Sequence, residues 1–198
     1  MSKLYLQRHL KSQWNLENKF TGWTDVPLSK EGIESAKDVS EQLMGLKIDK
    51  VYTSPLTRNK ETTTLILKYL GKNDLLVSTD KALDERNYGD LQGMNKDEAK
   101  VKFGEDQVLL WRRSWEERPP NGESLHDTFN RTVPYYKEFI ERNLKDGKNV
   151  LIVSSGNSLR SIVKYIENIP DEKIIEFEIP FGGLIKYDFD GSKYQKLQ

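Results

Sequence analysis

Three short stretches of the 198-residue chain carry side chains suited to handling a phosphoryl group: Arg8-His9, Arg58 and Ser155-Gly156-Asn157. A neutral imidazole can attack phosphorus directly while neighbouring guanidiniums neutralise the phosphoryl oxygens. His9 directly follows Arg8 at the end of a short apolar stretch. Ser155-Gly156-Asn157 follows the almost continuous apolar run of residues 149–154, and Arg58 comes early in a helical segment after a third run. In open α/β sheets ligands bind outside the carboxyl ends of strands, so these positions define one rim on which to seek a site. On position alone Arg58 reads as a solvated helix arginine, and a lone histidine is more often structural. The second histidine, His126, has no partner in its sequence neighbourhood and is assigned no role.

The elements that must position these groups alternate between short apolar runs and segments of helical period, the pattern of an α/β sheet covered by helices on both faces. Strands are predicted over residues 4–7, 50–53, 75–78 and 149–154, with that at 75–78 on an edge. The polar stretch 8–25 is too long for a simple connection and reads as a functional loop. Ser29 caps a helix whose apolar spacing runs through Ile33, Val39 and Leu43. A second helix starts near Pro55 and carries Thr63, Ile66, Leu67 and Leu70 on one face. Residues 84–93 read as a loop, 96–103 and 106–115 as two short helices, and Phe129 to Leu144 as a long helix that Pro134 kinks if it lies beyond the first turns. Residues 155–157 form a turn before a helix through Leu159, Ile162, Val163 and Ile166. The tail from Glu176 to Leu197 reads as two or three strands around Asp190-Gly191. No repeat or linker divides the chain, so residues 1–198 are expected to form a single domain.

Composition removes several classes of function. With no cysteine there is no thiolate chemistry, and two histidines without a carboxylate-rich loop make a zinc site improbable. Equal counts of 31 basic and 31 acidic residues argue against a nucleic-acid binder, whose Lys and Arg would exceed its acids. The start lacks the apolar core of a signal peptide and no window approaches a membrane span, so a cytoplasmic protein is expected.

The runs RHLKSQWNLENKFTGWTDVPLSKEG, YTSPLTRNKET, DERNYGDLQGMNKDEA, QVLLWRRSW, PPNGESL and SGNSLRSIVKY resemble, in order and spacing, successive signatures of the cofactor-dependent phosphoglycerate mutases of the histidine phosphatase superfamily. The resemblance runs from Lys3 to about Pro180. It implies a mostly parallel central sheet with helices on both faces, and interconversion of 3-phosphoglycerate and 2-phosphoglycerate through a phosphohistidine primed by 2,3-bisphosphoglycerate, without a metal. Carried over by position, it implies that His9 is the nucleophile and Glu85 the general acid and base. Arg8 and Arg58 would grip the transferring phosphoryl. Lys96, Arg112 and Arg113 would hold the substrate's other anionic groups, with Asn15, Thr21, Gly22, Arg86, Tyr88, Gly156 and Asn157 completing the pocket. Arg112-Arg113 taken alone reads as a solvated helix face. The implied partners are small-molecule phosphoglycerates, with no nucleic acid and no membrane; a homo-oligomer is left open.

Three departures from the family pattern stand out. Leu10 replaces a glycine beside the nucleophile, and Lys11 replaces an acidic or amide residue. Ser155 occupies the catalytic position of the family's second histidine, which donates to the transferring phosphoryl group. Loss of one such donor typically lowers the rate roughly 100- to 1,000-fold. Lys11 would compensate in part if its ammonium reached the same oxygens. The family's insertion near the site is shortened to residues 119–123, and its covering C-terminal tail is expected to be missing, which would admit water to the phosphohistidine. Two alternatives therefore accompany the mutase reading: a histidine phosphatase acting on small phosphate esters, and a catalytically weakened protein that binds phosphorylated metabolites.

Overall fold

A computed structural model describes residues 1–197, and their six strands form one sheet. The strands are β1 (Ser2–Arg8), β2 (Lys50–Thr53), β3 (Val77–Thr79), β4 (Val150–Ser154), β5 (Leu184–Phe189) and β6 (Tyr194–Lys196), in spatial order β3-β2-β4-β1-β5-β6. The first four positions of that order are parallel; β5 runs antiparallel to β1, and β6 to β5. The expected mostly parallel sheet is thus present with an antiparallel pair at one side.

Side-chain alternation along the central strands explains why both faces are covered. Leu4, Leu6, Val150 and Ile152 point to one face and pack with Tyr136, Ile140, Leu159, Ile162 and Val163. Tyr5, Leu151 and Val153 point to the other and pack with Leu43, Ile48, Ile66 and Leu67. A strand buried on both faces reads as a continuous apolar run, and β4 is buried at all five residues.

The helices are α1 (Gln13–Leu16), α2 (Lys30–Glu34), α3 (Ala36–Glu41), α4 (Thr57–Tyr69), α5 (Lys96–Phe103), α6 (Glu105–Arg113), α7 (Leu125–Tyr135), α8 (Glu141–Lys145) and α9 (Gly156–Glu167). The helix expected through Ile33 and Leu43 is divided in two at Ser35. There the hydroxyl donates to the Gly32 carbonyl at 2.8 Å, a local bond that competes with the helical ladder. Pro134 lies well inside α7, where it has no N–H to give the ladder, and the chain passes through a π-helical turn at residues 136–140 before resuming as α8. The tail supplies two strands. Residues 176–183 ahead of them do not join the sheet but cross over the end of β1, where the Arg8 N–H donates to the Gly183 carbonyl at 2.9 Å.

A smaller apolar cluster stands apart from the two main layers. Phe20, Leu91, Ala99 and Val108, with Tyr88, Met94, Phe103 and Trp111 against them, join α5 and α6 to the loop after α1. This cap hangs over the carboxyl ends of β1 and β4. Among the described residues, no helix is long and apolar enough to cross a membrane.

Candidate active site

A cavity of about 300 Å³ opens where β1 and β4 end beneath the cap. That is the small end of the range for ligand pockets. Seven cationic side chains line it, Arg8, Lys19, Arg58, Lys96, Arg112, Arg113 and Arg160, against two carboxylates, Glu85 and Glu178. A chain of zero net charge has thus concentrated positive charge in one concavity, which suits a small ligand with several negative charges.

Arg8 is the last residue of β1, and the next residue is held by both neighbouring segments. The His9 N–H donates to Ser154 at 3.0 Å, and its carbonyl accepts from the Gly182 N–H at 3.2 Å. The ring is only 2% exposed. Its Nδ1 lies 2.6 Å from the Leu10 carbonyl, a group that can only accept, so Nδ1 carries the proton and Nε2 keeps its lone pair. Burial pushes the imidazole well below its ordinary pKa, reinforced by the charges of Arg58 and Arg8. His9 is therefore neutral at physiological pH, with an unprotonated Nε2.

The two arginines nearest this ring are fixed by backbone carbonyls. Arg58, in the first turn of α4, donates to Gly22 at 2.8 Å and Thr24 at 3.2 Å. Gly22 adopts φ +55, and a Cβ there would meet Gln92 Oε1 at 2.1 Å and the Tyr88 nitrogen at 2.9 Å, so the close approach requires glycine. Arg8 donates to the Ile179 carbonyl and lies 3.9 Å from the Phe181 ring centroid. Its flank rests on Gly156, where a Cβ would come within 3.3 Å of Arg8 Cζ. Burial lowers the pKa of both guanidiniums. Arg8 Nε and Thr21 Oγ1 are buried in this wall without a protein partner.

Glu85 enters from the loop after β3. Its Oε1 accepts from the Arg86 N–H at 2.8 Å and from the Asn157 N–H, in the first turn of α9, at 3.1 Å. Burial pushes its carboxyl up, but the Arg86 N–H, the Arg58 charge, hydrogen bonding from the Asn157 side chain and the Arg8 charge outweigh it and leave Glu85 below the usual range. The Glu85 carbonyl is held by Trp23 Nε1 at 2.6 Å and Arg131 Nη2 at 2.8 Å. Tyr88 accepts from Arg86 at 3.1 Å and from the Asn157 amide at 3.3 Å.

On the cap side, Lys96 begins α5 and Arg112 and Arg113 end α6. The Lys96 ammonium is lowered by burial and by Arg112 beside it. Asn15 lines the cavity while its Oδ1 accepts from the Ser12 backbone at 3.1 Å, which closes the cap of α1. The acidic or amide position occupied by Lys11 contributes nothing here: its ammonium pairs with Glu31 at 2.6 Å on the exposed side of the chain. The suggested compensation by Lys11 is thereby corrected.

Thirteen of the fifteen residues expected at the site line this cavity, and Arg86 and Ser155 do not. Arg86 is fully buried behind Tyr88, with one nitrogen on the Arg112 carbonyl at 2.6 Å, so it braces the wall rather than touching the cavity. Ser155 is the N-cap residue of α9 and fully buried, and its hydroxyl accepts from Asn59 Nδ2 at 3.1 Å. Gly156 and Asn157, expected as a turn, are the first helical residues and reach the cavity where Ser155 does not. Sequence reasoning missed Arg160, which donates to Asn157 Oδ1 at 2.9 Å and to the Ile174 carbonyl at 2.6 Å. Burial, with Arg86 close by, brings its guanidinium down to about 10. Lys19, Glu178 and Phe181 were missed as well.

The sequence profile of the histidine phosphatase superfamily (branch 1) matches residues 4–198. The 2,3-bisphosphoglycerate-dependent phosphoglycerate mutase of Bradyrhizobium diazoefficiens is 46% identical over 186 residues, covering 93% of this chain and 90% of that one. The protein of the same name from Methanococcus vannielii is 40% identical over 222 aligned positions, covering 100% of this chain and 94% of its own. Among solved structures, mycobacterial hydrolase 1 superposes with a TM-score of 0.88 at 20% identity, covering 100% of this chain and 98% of that one, a likeness of fold.

Proposed function

This chain belongs to the histidine phosphatase superfamily, and we propose that it is a phosphoglycerate mutase, interconverting 3-phosphoglycerate and 2-phosphoglycerate with 2,3-bisphosphoglycerate as primer. One observation carries this reading: a neutral His9, its lone pair fixed at Nε2 by the Leu10 carbonyl, lies in a cavity with seven cations and two carboxylates. A phosphatase needs cations around one phosphoryl group. The additional set of Lys96, Arg112 and Arg113 on the cap side supplies charge for a second anionic group on the same small molecule. The partnerless Arg8 Nε and Thr21 Oγ1 in the wall fit hydrogen bonding to such a ligand.

In this reading His9 Nε2 holds the phosphoryl group, with Arg8 and Arg58 on its equatorial oxygens. Glu85, held ionised by the Arg86 N–H, by Arg58 and by Asn157, takes the proton from the substrate hydroxyl as that oxygen bonds to phosphorus and the P–N bond to His9 breaks. His9 then accepts the other phosphoryl of the same molecule, and Glu85 returns its proton to the oxygen released. Proton and phosphoryl group are both restored at the end of the cycle. Lys96, Arg112 and Arg113 hold the second anion, and the substrates are small phosphoglycerates met in the cytoplasm.

The test couples formation of 2-phosphoglycerate to enolase, with and without 2,3-bisphosphoglycerate, alongside labelling of the intact protein. Turnover that requires the primer, and an acid-labile adduct absent from His9→Ala, are expected. Release of inorganic phosphate without 2-phosphoglycerate would refute the mutase assignment.

A further inference from the structure

We propose that Glu178 is a specificity-determining residue: its carboxylate holds Arg113 in place of a ligand's second anion, and a ligand must displace it. The inference deepens the functional reading above, since it concerns the cap side of the same cavity.

The cavity's two carboxylates are held unequally. Glu85 is fixed by two backbone N–H groups in the deep wall. Glu178 has no such anchorage; its single polar contact is Arg113 Nη2 at 2.9 Å, and its side chain is 58% exposed while that of Arg113 is 23% exposed. The main chain beneath it is fixed, because the next carbonyl, that of Ile179, accepts from Arg8, and Ile179 itself is buried in the core. Glu178 is therefore an exposed side chain with one ion pair, set on a fixed main chain and reaching across the cavity mouth to the last turn of α6.

Charge decides what it does there. Burial pushes the Glu178 carboxyl up, but its hydrogen bond and ion pair with Arg113, and the charges of Arg8 and Arg112, carry it below the usual range, so it is ionised. A carboxylate is the same acceptor that a phosphoglycerate would offer. Arg112 and Lys96 beside it have no side-chain hydrogen-bond partner among the described residues, so of these three cap-side cations only Arg113 is already occupied by protein.

A partly exposed pair of this kind contributes little, so an incoming anion with bidentate geometry can displace it. The consequence is discrimination by number of anions. A ligand with only one phosphoryl group at His9 does not contest Arg113, whereas a ligand with a second anion must break the pair before it gains Arg113.

The test measures dissociation constants of 3-phosphoglycerate and of inorganic phosphate by calorimetry at low salt, in the parent and in Glu178→Gln. Removing the competing charge should tighten 3-phosphoglycerate by about twofold to fivefold, and inorganic phosphate by no more than about 1.3-fold. The same substitution in an Arg113→Met background should leave the ratio of the two constants where Arg113→Met alone puts it. Equal tightening of both ligands would show only the loss of a nearby negative charge and overturn the proposal. So would a ratio that still shifts without Arg113. These constants need no turnover, so a parent that binds 3-phosphoglycerate but never converts it would refute the mutase reading while leaving the Glu178 result legible on its own.

Discussion

Acidification of His9 gives the most direct physical test of the site, because burial, two arginines and a hydrogen bond act on one ring. The imidazole ordinarily titrates at 6.5 and is held well below that here, chiefly by burial and then by Arg58 and Arg8. Its folded-state pKa is depressed, so the unfolded chain binds a proton that the folded chain refuses as pH falls below 6.5. Stability therefore decreases on acidification, and the contribution is intact above that value. With the native ring still neutral at pH 5.5, the loss between pH 7.5 and 5.5 is about one tenfold step in the folding equilibrium, on the order of 1 kcal/mol. Asp84 works in the opposite sense over the same range. Its carboxyl is pushed up to about 6, by burial first, so its protonation on acidification relieves a penalty in the folded state. The assay must therefore be differential: urea unfolding followed by tryptophan fluorescence at pH 7.5 and 5.5, for the parent and for His9→Asn. The variant should lose on the order of 1 kcal/mol less than the parent over this interval. Identical pH dependence in the two proteins would mean that His9 takes up its proton in the folded state as readily as in water, and the claim of a neutral nucleophile set by its surroundings would fail.

The remaining expectations concern the groups around that ring. Glu85→Gln should still accept a phosphoryl group from 2,3-bisphosphoglycerate yet turn over about 100-fold or more slowly, measured by labelling and by the enolase-coupled assay; parallel loss of both would mark Glu85 as structural. Gly156→Ala should lower the labelling rate about tenfold, because the new methyl lies 3.3 Å from Arg8 Cζ, and the guanidinium, held by Phe181 and the Ile179 carbonyl, has little room to recoil. Undiminished labelling in that variant would show that Arg8 is not needed in its present position. Ser155→His should raise kcat by up to roughly 100-fold if the longer side chain reaches the cavity beside Gly156, while the protein loses about 1–3 kcal/mol of stability from crowding Asn59; a stability loss without a gain in kcat would show that the imidazole stays behind the wall.

The sheet and the residues at its strand ends were legible because both rest on local pattern. The two-sided burial of residues 150–154 is written in their unbroken apolar run, and Arg8-His9 and Gly156-Asn157 follow from where strands stop. Arg160 left a weaker signal: it lies three residues beyond Asn157, hence on the same helical face, and is a lone charge among Leu159, Ile162 and Val163. Glu178 left none, because residues 176–183 reach the cavity only through the antiparallel return of β5 along β1, a long-range pairing that local period cannot announce. Side-chain direction explains the two departures beside His9. His9 faces the cavity, Leu10 is buried against Leu28 and Ala36, and Lys11 turns out to Glu31, so the large residue that follows the histidine points away from the cavity. Its backbone does the opposite. The Leu10 N–H donates to Thr62 Oγ1 at 3.1 Å, and its carbonyl takes the His9 Nδ1 proton at 2.6 Å. A buried leucine at this point holds the peptide more firmly than glycine would, and with it the carbonyl that selects the Nδ1-protonated tautomer.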